Sequence, residues 1–295
     1  MKKIIAVLIS AAFLTLAQAE ELTGTLKKIK ETGVINLGVR ESSIPFSYNL
    51  GGVRTVGYSY DLQQIAVEAV KAKLKLSKLE VKELPVNSQN RISLVQNGSV
   101  DLECGSTTNN LERQKQVAFS TSIFVVGTRL LTKKTSGIKD FADLAGKNVV
   151  TTAGTTSERL IRKLNEDKKM DMNIVSAKDH GESFLTLETG RAVAFMMDDA
   201  LLYGEISKSK KPDDWTVVGA PQSHEAYGCM MRKEDVDFKK VVDEALTKAM
   251  KSGQAKEIYH KWFELPVPPR GNNLNFPLSD DMVKLYQSPN DKAFE

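Results

Sequence analysis

Short apolar runs of five to seven residues alternate with helical patterns of ten to fifteen along most of this chain, and no other feature constrains its fold as strongly. Such switching between strand-like and helix-like periodicity is the signature of βα units, whose strands lie parallel and buried beneath their helices. In the first series the strands are expected over residues 34–39, 79–86 and 99–104. Helices are expected over 60–74, 88–96 and 111–117. Leu62, Ile65, Ala66, Ala69 and Val70 fall at helical spacing and form a core-facing stripe. An apolar strand over 123–131 follows, and then the pattern restarts: helix 140–144, strand 148–152, helix 157–165, strand 173–177, helix 182–188, strand 192–197. In both series a helix stops at a glycine shortly before an apolar strand, Gly98 ahead of Val100 and Gly190 ahead of Val193. Two similar lobes are therefore expected. The last part is asymmetric, with strands over 215–218 and 227–231 flanking the turn Gly219-Ala220-Pro221, and helices over 237–251 and 254–263. A Pro-rich stretch at 266–269 and one more helical hint at 279–286 complete it. This reads as material returning to the first lobe, so the expected division is residues 20–125 and 223–295 for one lobe and 126–222 for the other.

Composition narrows the class. With 295 residues, 41% hydrophobic and 26% charged, the chain has enough apolar material for sizeable cores and too much to stay disordered. Residues 1–19 read as an export signal: Lys2 and Lys3, an apolar run over 4–16, then Ala17-Gln18-Ala19, with cleavage expected after Ala19 and a periplasmic product. Without that segment, which carries two lysines and no acid, 39 basic and 37 acidic side chains remain, a net charge of +2. No block of like charges stands out, so a polyanion-binding surface is not expected. Beyond the signal no apolar stretch reaches the roughly eighteen residues a membrane span needs. Cys104 and Cys229 are the two cysteines; in an oxidising compartment one disulfide and two separate buried thiols are both open.

Patterns for covalent or metal chemistry are missing. His180, His224 and His260 show neither zinc-helix spacing nor a paired CxxC, and there is no G-x-S-x-G and no P-loop. Polar residues gather instead where the expected parallel strands end, the place where open α/β sheets bind ligands. Arg40 ends the first strand, Ser88 and Arg91 follow the second, and Ser106, Thr108 and Arg113 follow the third. In the second series Thr156 lies within Gly154-Thr155-Thr156-Ser157, and His180 and Asp198 follow later strands. Singly each has a plain explanation: helix capping for the Ser and Thr residues and for Asp198, solvated cations for the arginines. Jointly they point to one crevice.

The run CGSTTNNLERQKQVAFS at residues 104–120 resembles the signature of the periplasmic polar amino-acid-binding proteins of ATP-binding-cassette importers, solute-binding family 3. So do RESSIPFSY at 40–48, GYSYDL at 57–62 and GTTSE at 154–158, and the resemblance covers essentially the whole chain after the signal. Arg40, Ser88-Gln89-Asn90-Arg91 and Lys178-Asp179-His180-Gly181 resemble the glutamate/aspartate-binding branch of that family. The resemblance implies an α/β, two-lobed type II periplasmic binding fold with a cleft between lobes, a monomer without cofactor, metal or catalytic residues, and L-glutamate or L-aspartate and a membrane permease as partners. It implies Arg113 for the α-carboxylate, with Ser106, Thr108 and Thr156 adding hydroxyl or amide donors, and Asp198 for the α-ammonium. Arg40, Ser88, Arg91 and His180 would then hold the side-chain carboxylate. A neutral side chain there would leave two buried arginines without a counter-charge, at about 2–5 kcal/mol. The resemblance also places the strand carrying Cys229 beside Cys104, which favours a disulfide, and puts hinges near 124–127 and 219–228. The alternatives are a binder of glutamine or asparagine, or a dehydratase-like enzyme on the same fold.

Overall fold

Two five-stranded sheets built on one plan organise the molecule, and the computed structural model describes residues 21–293. The expected export signal over 1–19 lies outside the described residues. In the first sheet the strands run Glu80–Val86, Val34–Arg40, Leu102–Glu103, Met230–Arg232, Val117–Phe119. The first three are parallel, and Met230–Arg232 returns from far along the chain to pair antiparallel with both of its neighbours. In the second sheet the order is Asn173–Ala177, Asn148–Thr152, Ala194–Asp198, Thr128–Lys133, Trp215–Val218. Again the first three are parallel and the fourth is antiparallel to both neighbours. Helices cover the strands, and among the described residues none is long and apolar enough to cross a membrane.

Where the structure departs from expectation, a strand has to change partners. The apolar run expected as one strand over 123–131 is two, Phe124–Val126 and Thr128–Lys133, broken at Gly127 where the chain passes between lobes. A Cβ on Gly127 would sit 2.8 Å from the Pro221 side chain. The run expected over 227–231 is likewise split. Glu225–Tyr227 pairs antiparallel with Phe124–Val126 to form the two-stranded ribbon between lobes, and Met230–Arg232 belongs to the first sheet. Helix 111–117 ends early, at Gln114, because Val117 and Phe119 are drawn into the sheet as a strand. The helix Gly24–Thr32 and the meander Ser42–Ser43, Ser47–Leu50, Arg54–Val56 lack long apolar runs and were not expected from periodicity.

An aromatic cluster anchors the first-lobe end of the ribbon. Phe124 lies 4.8 Å from Phe46 in an edge contact and 4.8 Å from Phe263 in a stack, and Tyr227 meets Phe46 at 5.1 Å. Cys104 and Cys229 are disulfide-bonded and buried, which ties the return segment to the end of the third strand. The chain end is fastened to the same lobe: Ser122 N donates to Asn290 O at 2.7 Å and Asn109 Nδ2 to Asp291 O at 2.9 Å. Between them the hairpin Pro266–Val267 and Asn272–Asn273 reaches the second lobe, where Arg270 Nε donates to Lys208 O at 2.6 Å and Asn272 Nδ2 to Ser207 O at 2.7 Å.

Candidate functional site

Carboxyl ends of the parallel strands in both sheets face the same crevice. Arg40 is the last residue of its strand, and Arg91 opens the helix Arg91–Gln96. Arg113 sits on the short helix Leu111–Gln114, whose start is capped by Asn110 accepting from Arg113 N at 2.9 Å. Opposite them Thr156 opens the helix Thr156–Asp167, His180 opens His180–Glu188, and Asp198 ends the strand Ala194–Asp198. Caps fix both helix starts: Thr155 accepts from Glu158 N and Asp179 from Glu182 N. All nine residues expected in the site are brought to this crevice and buried, the three arginines to 3% exposure or less.

The two sides touch. Arg40 Nη2 lies 3.5 Å from His180 Nε2, and Arg113 Nη2 donates to Gly154 O at 3.4 Å. Gly154 has φ of +78°, and a Cβ there would stand 2.9 Å from the Ser88 carbonyl carbon, so this rim tolerates only glycine on both counts. A helix of the second lobe comes equally close elsewhere: a Cβ on Gly204 would fall 1.9 Å from Ile44 O. The lobes are closed on each other.

The first-lobe side is cationic. Arg40 donates to Ser88 Oγ at 3.1 Å and Ser106 Oγ at 3.4 Å, and Arg91 to Ser106 O at 3.0 Å and Thr107 Oγ1 at 2.5 Å. Arg91 Nε is buried with no hydrogen-bond partner. Burial, and then the Arg91 charge, push Arg40 down to about 10; burial, then Arg91 and Arg159, push Arg113 down to about 9. Arg91 is lowered too, chiefly by burial. Three crowded guanidinium groups whose charge is disfavoured form a cluster that an anion stabilises. A counter-charge is already present: Glu103, fully buried, accepts from Thr107 Oγ1 at 2.8 Å and its charge supports both Arg40 and Arg91. This corrects the expectation that a neutral ligand side chain would leave those arginines bare.

His180 is a neutral member. Burial, then Arg40, Arg91 and Lys208, hold its imidazole well below the ordinary histidine range. With Nε2 facing the Arg40 N–H groups, its proton sits on Nδ1 and is donated to Thr152 Oγ1 at 2.9 Å.

The opposite side is anionic. Asp198 Oδ1 accepts from Thr128 Oγ1 and Ser157 Oγ, each at 3.2 Å, and Oδ2 from the Tyr227 hydroxyl. Burial, and then the Glu225 charge, push Asp198 up to about 7. Glu225 itself accepts from Thr108 Oγ1 at 2.6 Å and Thr156 Oγ1 at 2.8 Å. Of the hydroxyl or amide donors expected from Thr108 and Thr156, the hydroxyl part is therefore corrected, because their protons point at Glu225.

Sequence reading missed Glu103, Thr107, Glu225 and Tyr227. For Glu103 a signal existed: with Asp101 it alternates with Val100, Leu102 and Cys104 in a strand expected to be buried, and an acid is rarely buried without a partner. For Glu225 the ribbon pairing that aims it inward was not visible. Among the described residues no group of three or more His, Cys, Asp or Glu is placed to hold a metal ion.

A family model, Bacterial extracellular solute-binding proteins, family 3, matches residues 35–265. The chain is 66% identical over 294 residues to the L-glutamate/L-aspartate-binding protein of Pseudomonas aeruginosa, covering 99% of this chain and 96% of that relative. It is 59% identical to the glutamate/aspartate import solute-binding protein of Escherichia coli, covering 98% and 97%. Among solved structures it resembles a mutant of ArgBP from T. maritima, with TM-score 0.73 at 26% identity over 82% of this chain and 100% of that one. It also resembles an ancestral amino acid-binding protein, a precursor of cyclohexadienyl dehydratase, with TM-score 0.69 at 26% identity over 81% and 99%.

Proposed function

Because this chain belongs to the bacterial extracellular solute-binding proteins, family 3, we propose that it captures L-glutamate and L-aspartate in its cleft and delivers them to the membrane permease of an ATP-binding-cassette importer. One observation carries the reading: three buried arginines on one side of a closed crevice face a buried carboxylate, Asp198, on the other. An acidic amino acid carries the complement, two carboxylates and one ammonium.

Arg113 takes the α-carboxylate, a planar acceptor that suits a planar donor, with the amides at the start of Thr156–Asp167 adding the positive end of a helix. Asp198 takes the α-ammonium. The side-chain carboxylate goes to Arg40 and Arg91, whose Nε lacks a partner, with Ser88 and neutral His180 beside it. Since the three arginines come from one lobe and Asp198 and the start of Thr156–Asp167 from the other, the ligand binds the closed arrangement better than an open one, which is what drives closure. Motion is carried by the ribbon Phe124–Val126 and Glu225–Tyr227 and by Gly127. The lobe division at 20–125 with 223–295 against 126–222 belongs to this reading. So do export with cleavage after Ala19, a periplasmic monomer, and binding without turnover.

Isothermal titration with glutamate, aspartate, glutamine and asparagine tests the ligand. The acids are expected to bind more tightly by about tenfold or more, less than the full cost of an unmatched buried charge, since Glu103 offsets some of it. Equal affinity for the amides overturns the acidic assignment. Recovery of a changed ligand after incubation overturns binding without turnover.

A further inference from the structure

Thr108 and Thr156 come from opposite sides of the cleft, yet both hydroxyls donate to the same oxygen of Glu225, at 2.6 and 2.8 Å. A hydroxyl has one proton and two lone pairs, and an ionised carboxylate only accepts. With both protons aimed at Glu225, each hydroxyl meets a ligand as an acceptor, which suits an ammonium and not a carboxylate.

The Glu225 carboxylate also lies beside that of Asp198. Successive residues at the start of Thr156–Asp167 hold the two, Thr156 donating to Glu225 and Ser157 to Asp198 at 3.2 Å. From the ribbon, Glu225 and Tyr227 stand two residues apart on one strand face, and Tyr227 donates to Asp198. Pairing with Val126 fixes the backbone of Glu225, and the adjacent start of a 12-residue helix favours negative charge there.

We propose that Glu225 is a specificity-determining positioning residue: it turns the Thr108 and Thr156 hydroxyls into acceptors and, beside Asp198, completes an α-ammonium site contributed by both lobes and the ribbon between them. The proposal rests on the amino-acid reading of the cleft. It has a protonic consequence. Burial and the Glu225 charge push the Asp198 carboxyl up to about 7, so near neutral pH it holds a proton that an arriving ammonium displaces. Asp198 faces Glu225 and Asp199 as like charges and Arg91 and Arg113 as opposite ones, while Arg129 faces Asp199, Arg159 faces Arg113, and buried Tyr227 remains a phenol. Ligand binding near neutral pH therefore releases a proton.

The test compares glutamate with glutarate, which has the same two carboxylates and no ammonium, by calorimetry in buffers of different ionisation enthalpy, so that the heats count protons. Glu225→Gln keeps an acceptor for the hydroxyls and removes the charge; Thr156→Val removes one hydroxyl and leaves the charge. Thermal melting checks that each variant is folded, and either one folded suffices. Glu225→Gln is expected to weaken glutamate relative to glutarate by about tenfold or more and to lower the protons released per glutamate. Thr156→Val is expected to shift the same ratio by a smaller factor. Equal weakening of both ligands, or unchanged proton release in Glu225→Gln, overturns the proposal. So does tightening of both, which would make Glu225 a stand-in for the ligand's own carboxylate. If the wild-type protein binds neither ligand, the amino-acid reading falls as well; if it binds glutamate and the ratio stays put in the variants, only the role of Glu225 falls.

Discussion

The two lobes share a sheet plan and differ in what their strand ends carry. The first carries three buried arginines, with the buried acid Glu103 supporting Arg40 and Arg91; on the second, a neutral histidine, a helix start and Asp198 face them. The first lobe is also tied by the Cys104–Cys229 disulfide and by the chain end, while the second relies on packing and helix caps. The difference teaches that the scaffold is repeated but the charge is divided. Neither half alone matches an ion carrying both signs, and the match is complete only when the halves meet.

Substitutions can break that division, and the largest effect is expected from Arg113→Ala. It removes the guanidinium proposed to clamp the α-carboxylate and its contact to Gly154 O, so affinity for every amino acid should fall by about 3 kcal/mol or more, read by calorimetry. Retained affinity would show that the first lobe does not hold the shared end of the ligand. Next is the joint Cys104→Ser and Cys229→Ser variant, or reduction of the native protein. A bridge spanning 125 residues should contribute about 2–4 kcal/mol, so the melting temperature should drop, and the loss should fall on the first lobe in hydrogen exchange. Arg91→Ala should leave binding measurable and reduce the preference for glutamate over glutamine by about tenfold. Uniform loss for both ligands would mean that Arg91 and Arg113 exchange roles.

On the acid side the prediction concerns pH. Asp198 titrates at about 7 in the folded protein, above the ordinary carboxylate range, so the folded ligand-free chain holds a proton that the unfolded chain has lost. Stability of the ligand-free protein should therefore fall as pH rises through about 7, and Asp198→Asn should flatten that dependence in thermal melts. His180 acts in the opposite sense at lower pH: its imidazole is held well below the ordinary range, so below the ordinary histidine value the unfolded chain binds a proton the folded chain does not, and this contribution to stability grows as pH rises. The smallest effect is expected at the contact between lobes. Gly204→Ala puts a Cβ against Ile44 O, so ligand affinity should fall by a few-fold with a near-normal melting temperature, as closure is penalised more than folding.

The residues at strand ends were legible because a parallel sheet fixes where its loops converge, and periodicity alone locates the strands. Arg40, Arg91, Arg113, Thr156, His180 and Asp198 all follow from that rule. The partner switches at Gly127 and between Tyr227 and Met230 were not legible, since an apolar run does not record which neighbour it pairs with. Proton direction was hidden for a similar reason: whether the Thr108 hydroxyl gives or takes depends on Glu225, 117 residues away.

The disulfide has one further consequence, a mechanical one. Tension applied at the two ends of the chain passes directly from Cys104 to Cys229 through the covalent bridge and never enters the segment between them. Every strand of the second sheet, residues 128–218, lies within that shielded loop, outside the load path. A pulled molecule should therefore unravel from its first lobe while the second stays folded, and reduction should put the second lobe under load.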